Sequence, residues 1–223
     1  DCPDWLKIFM REKLTMPDAQ NFKPIADASR VTSLERLKEL YGEPNPNSLL
    51  VEMPVLDEIT REFIGLSPMV MIGTVGDVSS KGDDPGFVAI LDGKTLLIPD
   101  RTGNNRADTL NNILRNPAVG LLFLIPGVAE CLRIGGRAEI TDDAELLAPM
   151  DINGKPPKCG IIIHIEQVYY VCARSIVRSN LWDAEAQVDR RAVPSPAQVI
   201  ALRHDKDAAA MNENYEQRMK ELY

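Results

Sequence analysis

Residues 87–106 read FVAILDGKTLLIPDRTGNNR, and the pattern changes twice along them. Phe87 to Leu91 and Lys94 to Ile98 are short β-prone runs separated by Asp92-Gly93, a two-residue link that favours a type I′ hairpin. Beyond Ile98 the apolar run gives way to Pro99-Asp100-Arg101-Thr102-Gly103-Asn104-Asn105-Arg106, a loop rich in donors. That loop opens into a helix over Arg106 to Arg115, closed by Asn116-Pro117. The first N–H groups of a helix lack intrahelical partners and carry the positive end of its dipole, which suits an anion. Asn104 and Asn105 can add amide donors, Arg101 and Arg106 can offer guanidinium forks, and Gly103 permits a backbone turn that other residues resist. The same residues have a plainer reading, in which an asparagine caps the helix and the arginines pair with surface acids.

Outward from this stretch the strand signals continue. Met69 to Val75 runs to a Gly76-Asp77 turn and returns as Val78 to Lys81. Val119 to Leu124 and Glu130 to Thr141 flank Pro126-Gly127. Cys159 to Cys172 is the longest run, with Ile161, Ile163 and Ile165 alternating with Ile162, His164 and Glu166. About seven short strands with hairpin-length links predict a mainly β fold, a closed or nearly closed antiparallel barrel of Greek-key-like kind with flanking helices. The helices are expected around Leu34–Tyr41, with Thr32 and Glu35 as a capping box, and over Leu56 to Leu66, ending at Ser67-Pro68. Others are expected over Asp142 to Met150, over Ala173 to Leu181, after Ser195-Pro196, and over Ala208 to Tyr223 with Met211, Tyr215 and Met219 on one face. The expected organisation is an extension over 1–30, a barrel domain over 31–183, and a helical tail over 184–223 that packs on the barrel or on a partner chain.

A second donor-rich segment, Ser79-Ser80-Lys81-Gly82-Asp83, lies between two predicted strands. Lys81 stands at a strand end, and a hairpin neighbour carrying the Pro99 to Arg106 loop would lie close to it. Two such edges on adjacent strands predict a phosphate cradle.

Composition narrows the rest. The chain has 223 residues, 44% hydrophobic and 26% charged, with 25 basic against 33 acidic side chains and a net charge of −8. Such a surface repels a nucleic-acid backbone, and no basic stripe offsets it. The longest apolar run, Val119 to Val128, is interrupted by Pro126 and Gly127 and is too short to span a bilayer. Asp1 to Met10 lacks a basic start followed by an apolar stretch, so no secretory signal is expected and a cytoplasmic location is. Cys2, Cys131, Cys159 and Cys172 form no C-x-x-C pair, and only His164 and His204 accompany them. No metal site is expected, and the cysteines of the apolar segments read as reduced core thiols.

The chain resembles the pyridoxamine 5′-phosphate oxidase-like FMN-binding split-barrel family. The likeness rests on Ser79 to Asp83, Pro85 to Val88 and Ile98 to Arg106. It continues through Leu110, Asn112 to Leu114, Asn116-Pro117, Leu121 to Gly127, Gly136-Arg137-Ala138, and Ala173, Arg178, Leu181 and Trp182. It covers roughly residues 32–183. The resemblance implies a homodimer with FMN at the subunit interface and a small-molecule substrate, without nucleic acid or membrane. It implies a phosphate held by Lys81 and by the trio Asn104, Asn105 and Arg106, with Ser79, Asp100 and Arg101 also among the cofactor-binding residues. Ile98 and Pro99 would run beside the flavin ring. Residues around Cys131 and Arg133, with Arg174 to Trp182 of the other chain, would complete the pocket. Oxidases acting on pyridoxamine phosphate carry a more basic pair on the first strand, a Ser-Arg-Lys trio, and a C-terminal segment rich in arginine and tryptophan. Here the trio is Asn-Asn-Arg and the tail lacks that pattern, which points away from pyridoxamine phosphate as substrate.

The outlying residues also have structural readings. His164 reads as a satisfied barrel residue. Arg133 reads as solvent-facing or as a flavin contact, and Trp182 as an anchor for the tail or a stacking partner. Arg174 and Arg178 share a helix face and can bind phosphate or pair with acids. The resemblance implies FMN-dependent oxidoreduction of a small organic molecule, and the lack of an evident nucleophile–base pair is consistent with chemistry residing in the flavin. The alternatives are a flavin-binding storage or sensor protein without turnover, and a deazaflavin or haem protein on the same barrel.

Overall fold

Period-two alternation becomes an eight-stranded, wholly antiparallel sheet in the computed structural model, which describes residues 23–101, 103–204, 207, 209–211, 213, 215 and 217. The expected extension over 1–22 and most of the helix expected over 208–223 lie outside the described residues. The chain divides into two compact units, residues 45–186 and the flanking segments.

The sheet belongs to the first unit. Its strands are β1 (Glu52–Met53), β2 (Met69–Thr74), β3 (Asp77–Gly82), β4 (Ala89–Ile90), β5 (Thr95–Asp100), β6 (Ala118–Leu124), β7 (Cys131–Thr141) and β8 (Cys159–Val171). Their order is β3-β2-β6-β7-β8-β5-β4, with β1 joined to β8. β3 and β4 end the path without pairing to each other, so the sheet curls into a half-barrel that stays split. Inward residues of the central strands are sealed: Val70, Ile72, Leu96, Ile98, Phe123, Leu132, Ile134, Ile161, Ile163 and Val168 are almost wholly buried. Helix α3 (Glu58–Leu66) closes one mouth with Phe63 and Ile64, and Phe63 meets Tyr170 edge-on with ring centres 5.6 Å apart. Asp57 starts that helix by accepting from Thr60 N at 2.8 Å, while the Thr60 hydroxyl accepts from Asp57 N at 2.9 Å.

β7 and β8 slip register between Gly135 and Gly136. At this bulge the backbones approach so closely that a Cβ on Gly136 would lie 2.2 Å from the His164 carbonyl oxygen. The remaining helices of this unit are short: α2 (Pro46–Leu49), α4 (Asp108–Arg115), α5 (Ala144–Leu147) and α6 (Arg174–Ser179). In the other unit, α1 (Leu34–Tyr41) begins at Ser33, whose hydroxyl accepts from Arg36 N at 3.1 Å. α7 (Pro196–His204) begins at Ser195, whose hydroxyl accepts from Gln198 N at 3.2 Å. Among the described residues no helix is long and apolar enough to cross a membrane.

Three expectations need correction. The cap of α1 is Ser33 rather than Thr32, because the helix starts one residue later. The hairpin between β4 and β5 is not type I′. Ala89 pairs with Leu97 and Ile90 with Leu96, and Leu91 N donates to the Thr95 carbonyl at 2.9 Å, which leaves Asp92, Gly93 and Lys94 in the loop, and neither Asp92 nor Gly93 has a positive φ. The Asp92 carboxylate accepts from Lys94 N at 2.6 Å and supplies a local turn that competes with the two-residue one. Finally, Cys131 is buried but Cys159 is half-buried and Cys172 exposed, since β8 ends at Val171; all three are free thiols.

Candidate functional site

The two donor-rich segments meet, though not as neighbouring strands. β2, β6, β7 and β8 lie between β3 and β5, so the expected adjacency is wrong, and the curl of the sheet brings them together instead. Lys81 near the end of β3 reaches Asp100 at the end of β5, Nζ to Oδ1, at 2.5 Å. Both side chains keep about a quarter of their surface or less. Beside this bridge lies a concavity of about 580 Å³.

Its walls are Val78 to Lys81 of β3, the end of β5, the loop from Gly103 to Ala107, the first turn of α4, and Lys158. Of the residues expected to bind cofactor, Ser79, Lys81, Asp100, Arg101, Asn104, Asn105 and Arg106 line it together. Ile98 and Pro99 are buried in β5 behind this wall. Pro99 stands past the last β4 pair, where that side of β5 no longer asks for a ladder donor.

The arginines differ in what they can offer. Arg101 donates from Nε to the Asp83 carboxylate at 2.8 Å and from a terminal nitrogen to the Met150 carbonyl at 2.7 Å. The Asp83 side chain is nearly sealed, so this guanidinium is committed to holding the loop as well as lining the site. Arg106 is exposed, donates from Nε to Asp108 at 2.7 Å, and is kept firmly protonated by that carboxylate.

No side chain caps α4. Its N-cap is Ala107, and Asn104 instead accepts from Arg106 N at 3.0 Å. The first helical amides are therefore left to whatever enters the concavity, which Asp108, Thr109 and Leu110 also line. Asn105 and Ala107 both sit in the left-handed region, at φ of 58° and 54°. Asparagine tolerates this conformation; alanine does so at a cost of about 1–2 kcal/mol. Ala107→Gly is expected to remove that strain and lose part of the gain to unfolded-chain entropy, for a net stabilisation of about 0.5 kcal/mol. A urea titration checks it, and a lower midpoint for the variant would show that Ala107 rests easily where it is.

Cys159 pairs with Asp100 across β5 and β8. Burial, and then the Asp100 carboxylate, push its thiol up in pKa, while Lys81 pulls it part of the way back, so it is not a poised nucleophile. Among the described residues no cluster of His, Cys, Asp and Glu can hold a metal ion.

The other predicted residues lie elsewhere in this chain. Arg133 is exposed on β7 with its guanidinium 4.9 Å from the centre of the Tyr169 ring. Arg174 and Arg178 are exposed on α6, where Arg178 Nε donates to the Arg174 carbonyl at 3.2 Å. Trp182 donates from Nε1 to the Val128 carbonyl at 2.8 Å. His164 is half-exposed and lies 3.2 Å from Glu139. Sequence reasoning missed Lys158, which follows Pro156-Pro157 and precedes β8; only the β5–β8 pairing carries it to the site.

The family model described as Pyridoxamine 5'-phosphate oxidase matches residues 56–172. No curated protein matches the chain. Among solved structures it is similar to HupZ of Group A Streptococcus, at 20% identity over 52% of this chain and 94% of that one, with a TM-score of 0.43. It is also similar to a putative pyridoxamine 5'-phosphate oxidase from Lactobacillus delbrueckii, at 18% identity over 52% and 95% of the two chains, with a TM-score of 0.41. A third likeness is to an FMN-binding protein from Syntrophomonas wolfei, at 12% identity over 51% and 89%, with a TM-score of 0.39. The family match spans just over half of the chain, from the residue before the α3 cap to the residue after β8, and takes in both donor edges of the concavity. On that match the chain belongs to the pyridoxamine 5'-phosphate oxidase family.

Proposed function

We propose that this protein binds FMN through the concavity beside β3 and β5 and acts as an oxidoreductase on a small organic molecule, as a homodimer with the flavin at the subunit interface. One observation carries the reading: Lys81, Arg106, the asparagine amides and the uncapped start of α4 line a single site large enough for a flavin nucleotide. A phosphate monoester asks for that set of donors, a point charge, a fork and backbone N–H groups in one cradle. Bound FMN would supply the hydride or electron chemistry there. Lys81 and Arg106 would hold the phosphoryl group, the first amides of α4 would take its remaining oxygens, and Arg101 would keep the loop in place through Asp83 and Met150. Ile98 and Pro99, buried in β5, give that wall a rigid backbone.

The protein is expected to purify yellow, or to take up added FMN with quenching of flavin fluorescence and a dimer mass in native mass spectrometry. With a nicotinamide donor the bound flavin should bleach and recolour in air. A colourless protein that leaves added FMN free would refute the reading.

A further inference from the structure

The cations of the site do not enter on equal terms. Lys81 faces Asp100 at 2.5 Å, Arg101 faces Asp83 at 2.8 Å and Arg106 faces Asp108 at 2.7 Å. Each brings a carboxylate with it, so an approaching anion meets a dipole at these positions rather than a net charge. Lys158 lines the same concavity, and among the described residues it makes no ion pair. Asp142 and Asp151 share a neighbouring hollow of about 440 Å³ with it, and neither comes within ion-pair distance.

The backbone of Lys158 is held on both sides. Pro156 and Pro157 restrict the chain before it, and Cys159 after it is paired to Asp100. The ladder stops at that pair, so Lys158 stands opposite Arg101, where the donor loop begins. Its stem starts from a fixed point while its ammonium stays free to reach.

We propose that Lys158 is the capture cation of this site: it meets the ligand's phosphoryl group with a charge that, unlike those of Lys81, Arg101 and Arg106, has no carboxylate partner among the described residues, and it sets the preference for a phosphorylated flavin over the neutral one. The proposal rests on the flavin reading above. The phosphate dianion is first attracted by Lys158, and the Lys81–Asp100 and Arg106–Asp108 bridges then open onto it, each exchanging a carboxylate for a phosphate oxygen. Long-range attraction therefore comes from a residue outside the two donor edges, and it is weakened by salt.

The test titrates FMN, riboflavin and inorganic phosphate (by competition) into the full chain, its Lys158→Gln variant and its Lys158→Arg variant, at low and at high salt. Lys158→Gln is expected to weaken FMN and phosphate about tenfold and to flatten the salt dependence, with riboflavin unchanged and Lys158→Arg close to the unaltered protein. Lys158 is exposed and outside every strand, so the glutamine variant should fold, and an unchanged circular dichroism melt verifies this. If FMN binds the glutamine variant as tightly as the unaltered protein, or if riboflavin weakens in parallel with FMN, the capture role is overturned while flavin binding stands. If the unaltered protein binds neither FMN nor phosphate, both readings fall together.

Discussion

Gly136→Ala is expected to destabilise the protein by on the order of 3 kcal/mol or more and to leave little of it folded at physiological temperature. The added methyl would stand 2.2 Å from the His164 carbonyl oxygen, 3.1 Å from that carbonyl carbon and 3.3 Å from the Ile165 Cα. All three atoms are backbone, so no rotamer change relieves the clash. Relief would require β7 and β8 to separate at their bulge, and those two strands form the longest ladder in the sheet. Gly135→Ala is the matched control. It lies one residue away on the same strand, and its Cβ meets only Gln167 side-chain atoms, at 3.7 Å and beyond. It should cost less than about 1 kcal/mol. Urea midpoints of the two variants, taken side by side, decide the matter. Comparable losses would mean that the bulge can be remodelled.

Bulge and barrel were not equally legible in the sequence. β-prone runs bounded by turn signals located β2, β3, β5, β6, β7 and β8 to within about a residue or two; β2, β3, β6 and β7 mostly alternate between a more and a less buried face, whereas the middle of β5, Leu96 to Pro99, is buried throughout. β1 escaped because Glu52 and Met53 are too few to show a period; they join the sheet only through Val168 and Tyr169 of β8. The slip at Gly135 and Gly136 is a property of two strands together, and a single strand's pattern does not contain it. The donor loop was legible for the opposite reason: strand, loop and helix are consecutive, and their chemistry is local. Its partners were not. Arg101 is held from Asp83 and from the carbonyl of Met150, 49 residues away, and Lys158 arrives through a pairing with β8. The expected closeness of Lys81 to the loop proved correct for a reason other than the one that predicted it, since sheet curl rather than strand adjacency brings them together.

That curl makes the Lys81–Asp100 pair the most informative place to perturb the proposed cofactor. Lys81→Met should weaken FMN binding by about 100-fold, more than the loss of one charge-assisted hydrogen bond alone would give. The substitution removes an attraction and also leaves the Asp100 carboxylate facing the phosphoryl group without its counter-ion. Asp100→Asn should act in the opposite direction. It frees the Lys81 ammonium and removes a like charge, so FMN should bind several-fold more tightly, with riboflavin little affected. The double variant then separates the two contributions. If repulsion from Asp100 accounts for part of the Lys81→Met loss, adding Asp100→Asn should recover about tenfold of it, and the single effects will not add. Stability should not confuse the reading, because both side chains keep about a quarter of their surface or somewhat less in contact with water and such pairs contribute about 1 kcal/mol or less. Fluorescence titration of the four proteins with FMN and riboflavin gives the whole cycle. An Asp100→Asn variant that loses FMN as severely as Lys81→Met would mean that the carboxylate positions the lysine rather than competing for it, and the phosphate would then have to bind alongside an intact bridge.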